Sequence, residues 1–257
     1  MFGGEFGIAH HYWHEATRTV ICVPPKCGSS AIKYALIMAE HPHLGALFCN
    51  EPSRVHGFAH LALVKRKSQI FEAGRRLFMV RNPVRRTLSA FLSKFVVWPD
   101  DDVLRGICAL AEIPPDDMTF RLFVQTVAAM PDVQLDPHFC SQEHFFCLPQ
   151  KDYELMSVDS EGGNAFAGLL NGIHPGSSAT FREFEARAVE AKLGPVEHGE
   201  RPAVRGRLAD LPVKRLRYLR FNGADLPDSE FLFDGCEQTI LARYAFDATL
   251  NAYALAA

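Results

Sequence analysis

The sequence predicts an α/β protein of three layers, with a central, mainly parallel sheet flanked by helices, and three observations predict it. Two apolar runs of buried-strand type, Thr19-Val20-Ile21-Cys22-Val23 and Leu77-Phe78-Met79-Val80, are each followed by a helix-patterned stretch. Each run gives way to a cation, Lys26 after the first and Arg81 after the second, at the end of a strand where such sheets bind ligands. The 257 residues contain no internal repeat and no low-complexity linker, so one domain over 1–257 is expected.

The elements follow in order. Residues 1–18, rich in aromatics and histidines, read as a lead-in to the first strand. After that strand, Pro24 and Pro25 stop the run, and Lys26, Cys27, Gly28, Ser29 and Ser30 form a small-residue loop. Ala31, Tyr34, Ala35, Met38 and Ala39 then recur at helical spacing. The second strand, 77–80, ends at Arg81, and Asn82-Pro83 reads as N-cap and first position of a helix striped by Val84, Leu88, Phe91, Leu92 and Phe95. Further helices are expected around 103–112, 118–129, 181–192 and 235–250. Residues 159–178, rich in Gly, Ser and Asn, read as a surface loop or insertion.

Composition narrows the function classes. The chain is 48% hydrophobic and 22% charged, with a net charge of -3, which excludes a protein that coats nucleic acid. The charge is uneven: eight basic residues lie between Lys65 and Arg86 against Glu72 alone. Such a zone suits a small polyanion better than a duplex. Seven cysteines show no CxxC spacing, so neither a zinc ribbon nor a redox motif is supported, and they read as reduced thiols. His10, His11 and His14 lack a carboxylate partner at metal-ligand spacing, and Gly57 stands where a zinc protease would need glutamate between His56 and His60, so no metal is expected. No stretch is long and apolar enough to span a membrane, and the start lacks a signal-peptide pattern, which reads as a cytoplasmic protein.

Two segments have the chemistry of an anion site. In the first, the backbone N–H groups of Cys27, Gly28, Ser29, Ser30 and Ala31, beside Lys26, sit where a helix begins and its dipole is positive. This loop is not a Walker A motif, since Lys26 precedes Gly28 and no Gly-Lys-Ser/Thr occurs. In the second, Arg81 at a strand end and Ser89 eight residues later offer a guanidinium and a hydroxyl, a good fork for a phosphate.

Taken together, these segments resemble those of the PAPS-dependent sulfotransferases, particularly the carbohydrate sulfotransferase branch. Val23 to Lys33 is similar to that family's 5′-phosphosulfate loop, including a second lysine, Lys33, seven residues after Lys26. Phe78 through Arg86, Ser89-Ala90-Phe91 and Lys94-Phe95 resemble its 3′-phosphate segment. Asp136-Pro137-His138-Phe139, Cys147 and Asp152-Tyr153 resemble its downstream pattern, and Ala242 to Asp247 its last helix. Ile32 stands where the family usually has tryptophan. Residues 159–215 have no counterpart and form a variable acceptor-side region, in which the stretch from Arg201 to Arg207 is the candidate for the last cofactor loop.

The resemblance implies a P-loop-like fold and transfer of a sulfuryl group from PAPS, leaving PAP, to a hydroxyl, with a carbohydrate as the expected partner. It implies that Lys26 stabilises the departing phosphate and that Arg81 and Ser89 grip the 3′-phosphate, with no metal required. A general base is needed as well. His60, His56 and His138 are the candidates, His60 first because the resemblance implies a histidine about twenty residues before the 3′-phosphate arginine, and the acids Glu40 and Glu51 follow. Two other readings stay open on the residues alone: a nucleotide kinase or other phosphoryl transferase, and a non-catalytic protein that binds PAP.

Overall fold

A computed structural model describes residues 8–49, 51–97, 99, 101–159, 164–193, 207–233 and 235–256. Its strands are β1 (His11–His14), β2 (Thr19–Cys22), β3 (Arg75–Val80) and β4 (Glu154–Ser157). Its α-helices are α1 (Ser29–Glu40), α2 (Gly45–Phe48), α3 (Lys67–Glu72), α4 (Pro83–Phe91), α5 (Asp101–Ala111), α6 (Phe120–Ala129), α7 (Asn164–Ile173), α8 (Ser177–Leu193), α9 (Val213–Phe221), α10 (Cys236–Arg243) and α11 (Ala245–Ala256). Contacts group them into two compact units.

The first unit comprises Met1–Asn82, Ser141–Val189 and Phe246–Ala257. It holds the sheet, in the order β1-β2-β3-β4. β2, β3 and β4 are parallel, with Ile21 opposite Leu77 and Val80 opposite Ser157, while β1 pairs antiparallel with β2. Strand alternation sorts the side chains into two layers. Ile21, Leu77 and Met79 pack with Ile32, Ala35 and Leu36 of α1 and with Leu170 of α7. Cys22, Phe78 and Val80 point the other way, onto Phe145, Phe146, Tyr153 and Leu250 of α11. Leu77, Phe78, Met79 and Val80 are all fully buried, and each such side chain contributes about 1.5–3 kcal/mol. The expected sheet with helices on both faces is thus present.

The second unit comprises Pro83–Cys140 and Glu190–Ala245. Its core is aromatic: Phe91, Phe95, Phe120, Phe123, Phe139 and Phe231 are buried, with Phe91 and Phe120 ring centres 5.1 Å apart. α4 starts at Pro83, whose missing N–H costs nothing in a first turn. It runs into a π-helical turn at Leu92–Val97. Arg86 belongs to the basic zone by sequence, yet it is buried and donates to the carbonyls of Cys140 (2.7 Å) and Pro137 (3.2 Å).

Three sequence expectations are corrected. Residues 11–14 are not lead-in: β1 covers the edge of β2, with Tyr12 buried beneath it. Residues 159–178 are not a loop, because α7 and the start of α8 occupy the described part of them. The apolar stripe Phe166, Leu169, Leu170 and Ile173 outweighs the poor helix propensity of the glycines and asparagines. The expected helix over 235–250 is broken at Tyr244 into α10 and α11. Residues 201–206 of the proposed last cofactor loop lie outside the described residues. Among the described residues no helix is long and apolar enough to cross a membrane.

Candidate functional site

The carboxyl ends of β2, β3 and β4 are neighbours, and each delivers one polar residue: Lys26, Arg81 and Asp159 respectively. After β2 the chain turns through two left-handed residues, Lys26 (φ 68°) and Gly28 (φ 80°), on either side of the buried Cys27. The first intrahelical bond of α1 is Ile32 N–H to the Gly28 carbonyl, 3.1 Å. Helix geometry therefore leaves the N–H groups of Ser29, Ser30 and Ala31 without an intrahelical acceptor. No acidic side chain lies in that first turn to occupy them. A Cβ on Gly28 would come within 2.5 Å of Phe166 Cζ, so α7 presses its ring directly against the loop.

Arg81 reaches back to this loop. Its Nη1 donates to the Lys26 carbonyl at 3.0 Å, and its Nε lies 3.5 Å from Asp159 Oδ1, close enough for an ion pair but with no hydrogen bond formed. Asp159 also accepts from the Asn82 N–H at 2.7 Å. Between the two cationic prongs sits Gln142, wholly buried. Its Oε1 accepts from Cys27 Sγ (3.2 Å) and the Arg81 N–H (3.0 Å), and its Nε2 donates to the Arg81 carbonyl (3.0 Å). Gln142 is held in turn by Asp247, whose carboxylate accepts from the Gln142 N–H at 2.9 Å and from Ser141 Oγ at 2.7 Å.

The histidines separate. His56, on the 3₁₀ turn Pro52–His56, places Nε2 3.1 Å from Ser30 Oγ and Nδ1 2.9 Å from Lys33 Nζ. His60 is exposed, with Nδ1 3.2 Å from the Gly57 carbonyl. His138 belongs to the second unit, where its Nδ1 lies 2.5 Å from Asp136 Oδ1. Burial alone would raise the Asp136 carboxyl, but the hydrogen bonds from His138 outweigh it and hold the group below its usual range. Ser89 is also in the second unit, on α4. Glu51 is engaged with Arg54 at the surface, and Glu40 is the exposed last residue of α1.

Lys33 entered the sequence reading only as the second lysine of the loop resemblance, with no chemical role. It is 9% exposed, its ammonium sits 5.6 Å from the Tyr12 ring centre, and burial pushes its pKa down to about 8. Gln142, Asp159, Phe166 and Asp247 were also missed as site residues. A lone glutamine carries no spacing signal, and Asp159 and Phe166 lie in the segment read as a loop.

Comparison with known proteins gives one match: the model described as the sulfotransferase family matches residues 11–163, more than half of the chain. Neither the curated proteins nor the solved structures yield a match.

Proposed function

The chain belongs to the sulfotransferase family, and from that premise we propose that it moves a sulfuryl group from PAPS to a hydroxyl of a carbohydrate. The observation that carries this reading is the hydrogen bond from Arg81 to the Lys26 carbonyl, which joins the two anion prongs on adjacent strand ends. The residues present fit the donor. Free first-turn N–H groups, an acid-free helix start and Lys26 suit its 5′-phosphosulfate, and the guanidinium of Arg81 suits its 3′-phosphate. The sequence pattern adds Ser89 to the 3′-phosphate role. When bound, PAPS supplies the electrophilic sulfur.

The protein's own part is positioning and charge stabilisation. The Ser29, Ser30 and Ala31 N–H groups hold the 5′-phosphate, and Lys26 offsets the charge that builds on it. His56 takes the proton of the acceptor hydroxyl. Its Nε2 already faces Ser30 of the loop, whereas His60 is turned to its own turn's carbonyl. His60 and His138 remain candidates on sequence grounds, and single substitutions separate the three. The pattern from Asp136 to Tyr153 supports a carbohydrate acceptor.

Calorimetric titration with PAP, adenosine 5′-phosphosulfate and ATP tests the donor site. PAP is expected to bind at least about tenfold tighter than ATP, and Arg81→Ala to weaken PAP by at least about tenfold while changing adenosine 5′-phosphosulfate little, since that ligand lacks the 3′-phosphate. If PAP binds no better than ATP, or Arg81→Ala leaves it unchanged, the two-pronged reading is wrong. Transfer of labelled sulfate from PAPS to a panel of carbohydrates and phenols tests the acceptor class.

A further inference from the structure

We infer that Lys33 is the proton partner of His56: its amine sets which ring nitrogen of His56 carries the hydrogen, and it takes up the proton that leaves the acceptor hydroxyl. The inference rests on the reading of His56 as the base.

His56 has a hydrogen-bond contact at each ring nitrogen. A neutral histidine has one N–H donor and one lone-pair acceptor. Lys33 Nζ lies 2.9 Å from Nδ1. As an ammonium, Lys33 can only donate, so Nδ1 accepts and the ring hydrogen is forced onto Nε2. In that state Nε2 donates towards Ser30 Oγ, 3.1 Å away, and has no lone pair for a substrate proton. As a neutral amine, Lys33 accepts from Nδ1–H instead, and Nε2 presents its lone pair. The base is therefore competent only when the lysine is uncharged.

Burial makes that state accessible. Lys33 lies within α1, packed under the Tyr12 ring and lowered to about 8 by desolvation. Among the described residues no carboxylate pairs with it. The elements packed against α1 contribute Tyr12 and His14 from β1, the phenol kept neutral by burial and the imidazole lowered by burial against the opposing pull of the Glu40 carboxylate at the end of α1, and His43 from the turn Pro42–Leu44. They also contribute His56 and the exposed Arg54–Glu51 pair at the turn Pro52–His56, and His60 from the turn Ala59–Leu61. α7 carries no titratable side chain, and α8 meets Tyr34 through Phe181 and Phe184 with Arg182 and Glu183 exposed.

The step then balances. The acceptor oxygen forms its bond to sulfur as its proton passes to His56 Nε2, and the bond from sulfur to the phosphate oxygen breaks with its electron pair left on phosphate. Nδ1 gives its hydrogen to Lys33, which becomes an ammonium, and His56 ends neutral with its hydrogen on Nε2. The new cation on Lys33 matches the new negative charge on the departing phosphate.

Imidazole nitrogen-15 NMR of the full chain between pH 7 and 9.5 tests this directly, with His56→Gln used to assign the signal. In the wild type the hydrogen should lie on Nε2 at pH 7 and move to Nδ1 with a midpoint near 8, the value to which burial brings Lys33. Lys33→Arg, a permanent donor, should keep it on Nε2 throughout. Lys33→Met should show no movement near 8. A wild type without that movement, or a Lys33→Arg protein that moves like the wild type, overturns the inference. The second readout is PAP released from PAPS with water as acceptor. The neutral lysine fraction rises about tenfold from pH 7 to pH 9, and the wild-type rate should follow it while Lys33→Arg stays flat. Equal profiles for the two would also overturn the inference. A His56→Gln protein that releases PAP at the wild-type rate removes the base reading itself, an outcome distinct from the tautomer result.

Discussion

Replacing Gln142 by methionine isolates the latch between the two anion prongs. The backbone of Gln142 stays anchored, because its N–H is held by Asp247 whatever side chain follows. Methionine fills nearly the same volume, so no large cavity opens. What disappears are three hydrogen bonds: from Cys27 Sγ, from the Arg81 N–H, and to the Arg81 carbonyl. Two of the orphaned groups are main-chain atoms beside a fully buried side chain. Leaving each without a partner costs about 1–3 kcal/mol, so Gln142→Met should lose about 2–6 kcal/mol. Urea unfolding at pH 7 measures the loss, and calorimetry with PAP measures what it does to the site. Arg81 without its main-chain clamp no longer holds its guanidinium against the loop, so PAP should weaken by about tenfold or more. Gln142→Glu keeps an acceptor for Cys27 and the Arg81 N–H but loses the donor to the Arg81 carbonyl. It should therefore recover on acidification, when its protonated carboxyl can donate again. If Gln142→Met unfolds within about 0.5 kcal/mol of the wild type and binds PAP equally well, the latch carries neither stability nor affinity.

Two further perturbations follow from the same loop and helix. Lys33 is lowered from 10.5 to about 8 in the folded protein, so between those values the unfolded state binds more protons and stability rises with pH. Below pH 8 the buried charge costs about 3 kcal/mol, so Lys33→Met should stabilise the protein at pH 7 by up to that amount, less the lost bond to His56. The gain should vanish near pH 10.5, and urea unfolding at the two pH values decides it. At Gly28, alanine meets both a left-handed backbone and the Phe166 ring, so Gly28→Ala should destabilise by about 1–3 kcal/mol. Adding Phe166→Ala should remove only the steric share, which a double-mutant cycle on thermal unfolding reads out.

Much of the candidate site was legible because its main parts are local. Strand, small-residue loop and helix sit within residues 19–40, and the apolar run ending at Arg81 repeats the arrangement. What escaped are the residues that act across the chain. Gln142 binds both prongs from 115 positions beyond Cys27 and 61 beyond Arg81, distances at which no periodicity speaks. The histidines show the same limit at shorter range. Between His56 and Arg81 the chain passes through a 3₁₀ turn and a short helix, so sequence distance from Arg81 does not convert into distance in space. His56 meets Ser30 and Lys33, while His60 meets the Gly57 carbonyl. α7 had a readable signal in its apolar stripe, but Gly168, Gly172 and two asparagines drew the reading towards a loop.

The sheet-bearing unit is assembled from three stretches of chain separated by the other unit's residues, and this gives its site a history during synthesis. A nascent chain that has already exposed Lys26, Arg81 and Gln142 still lacks the carboxylate of Asp247, which follows Gln142 by 105 residues. At ribosomal rates of about 5–20 residues per second, roughly 5–20 s pass before it arrives. During that interval the Gln142 N–H has no acceptor from α11, and the glutamine that ties the prongs together is not fixed. A chain halted short of α11 would carry every residue of the recognisable loops and still present them unlatched. Nucleotide binding would thus report a chain translated through α11, rather than one that has merely produced the motif.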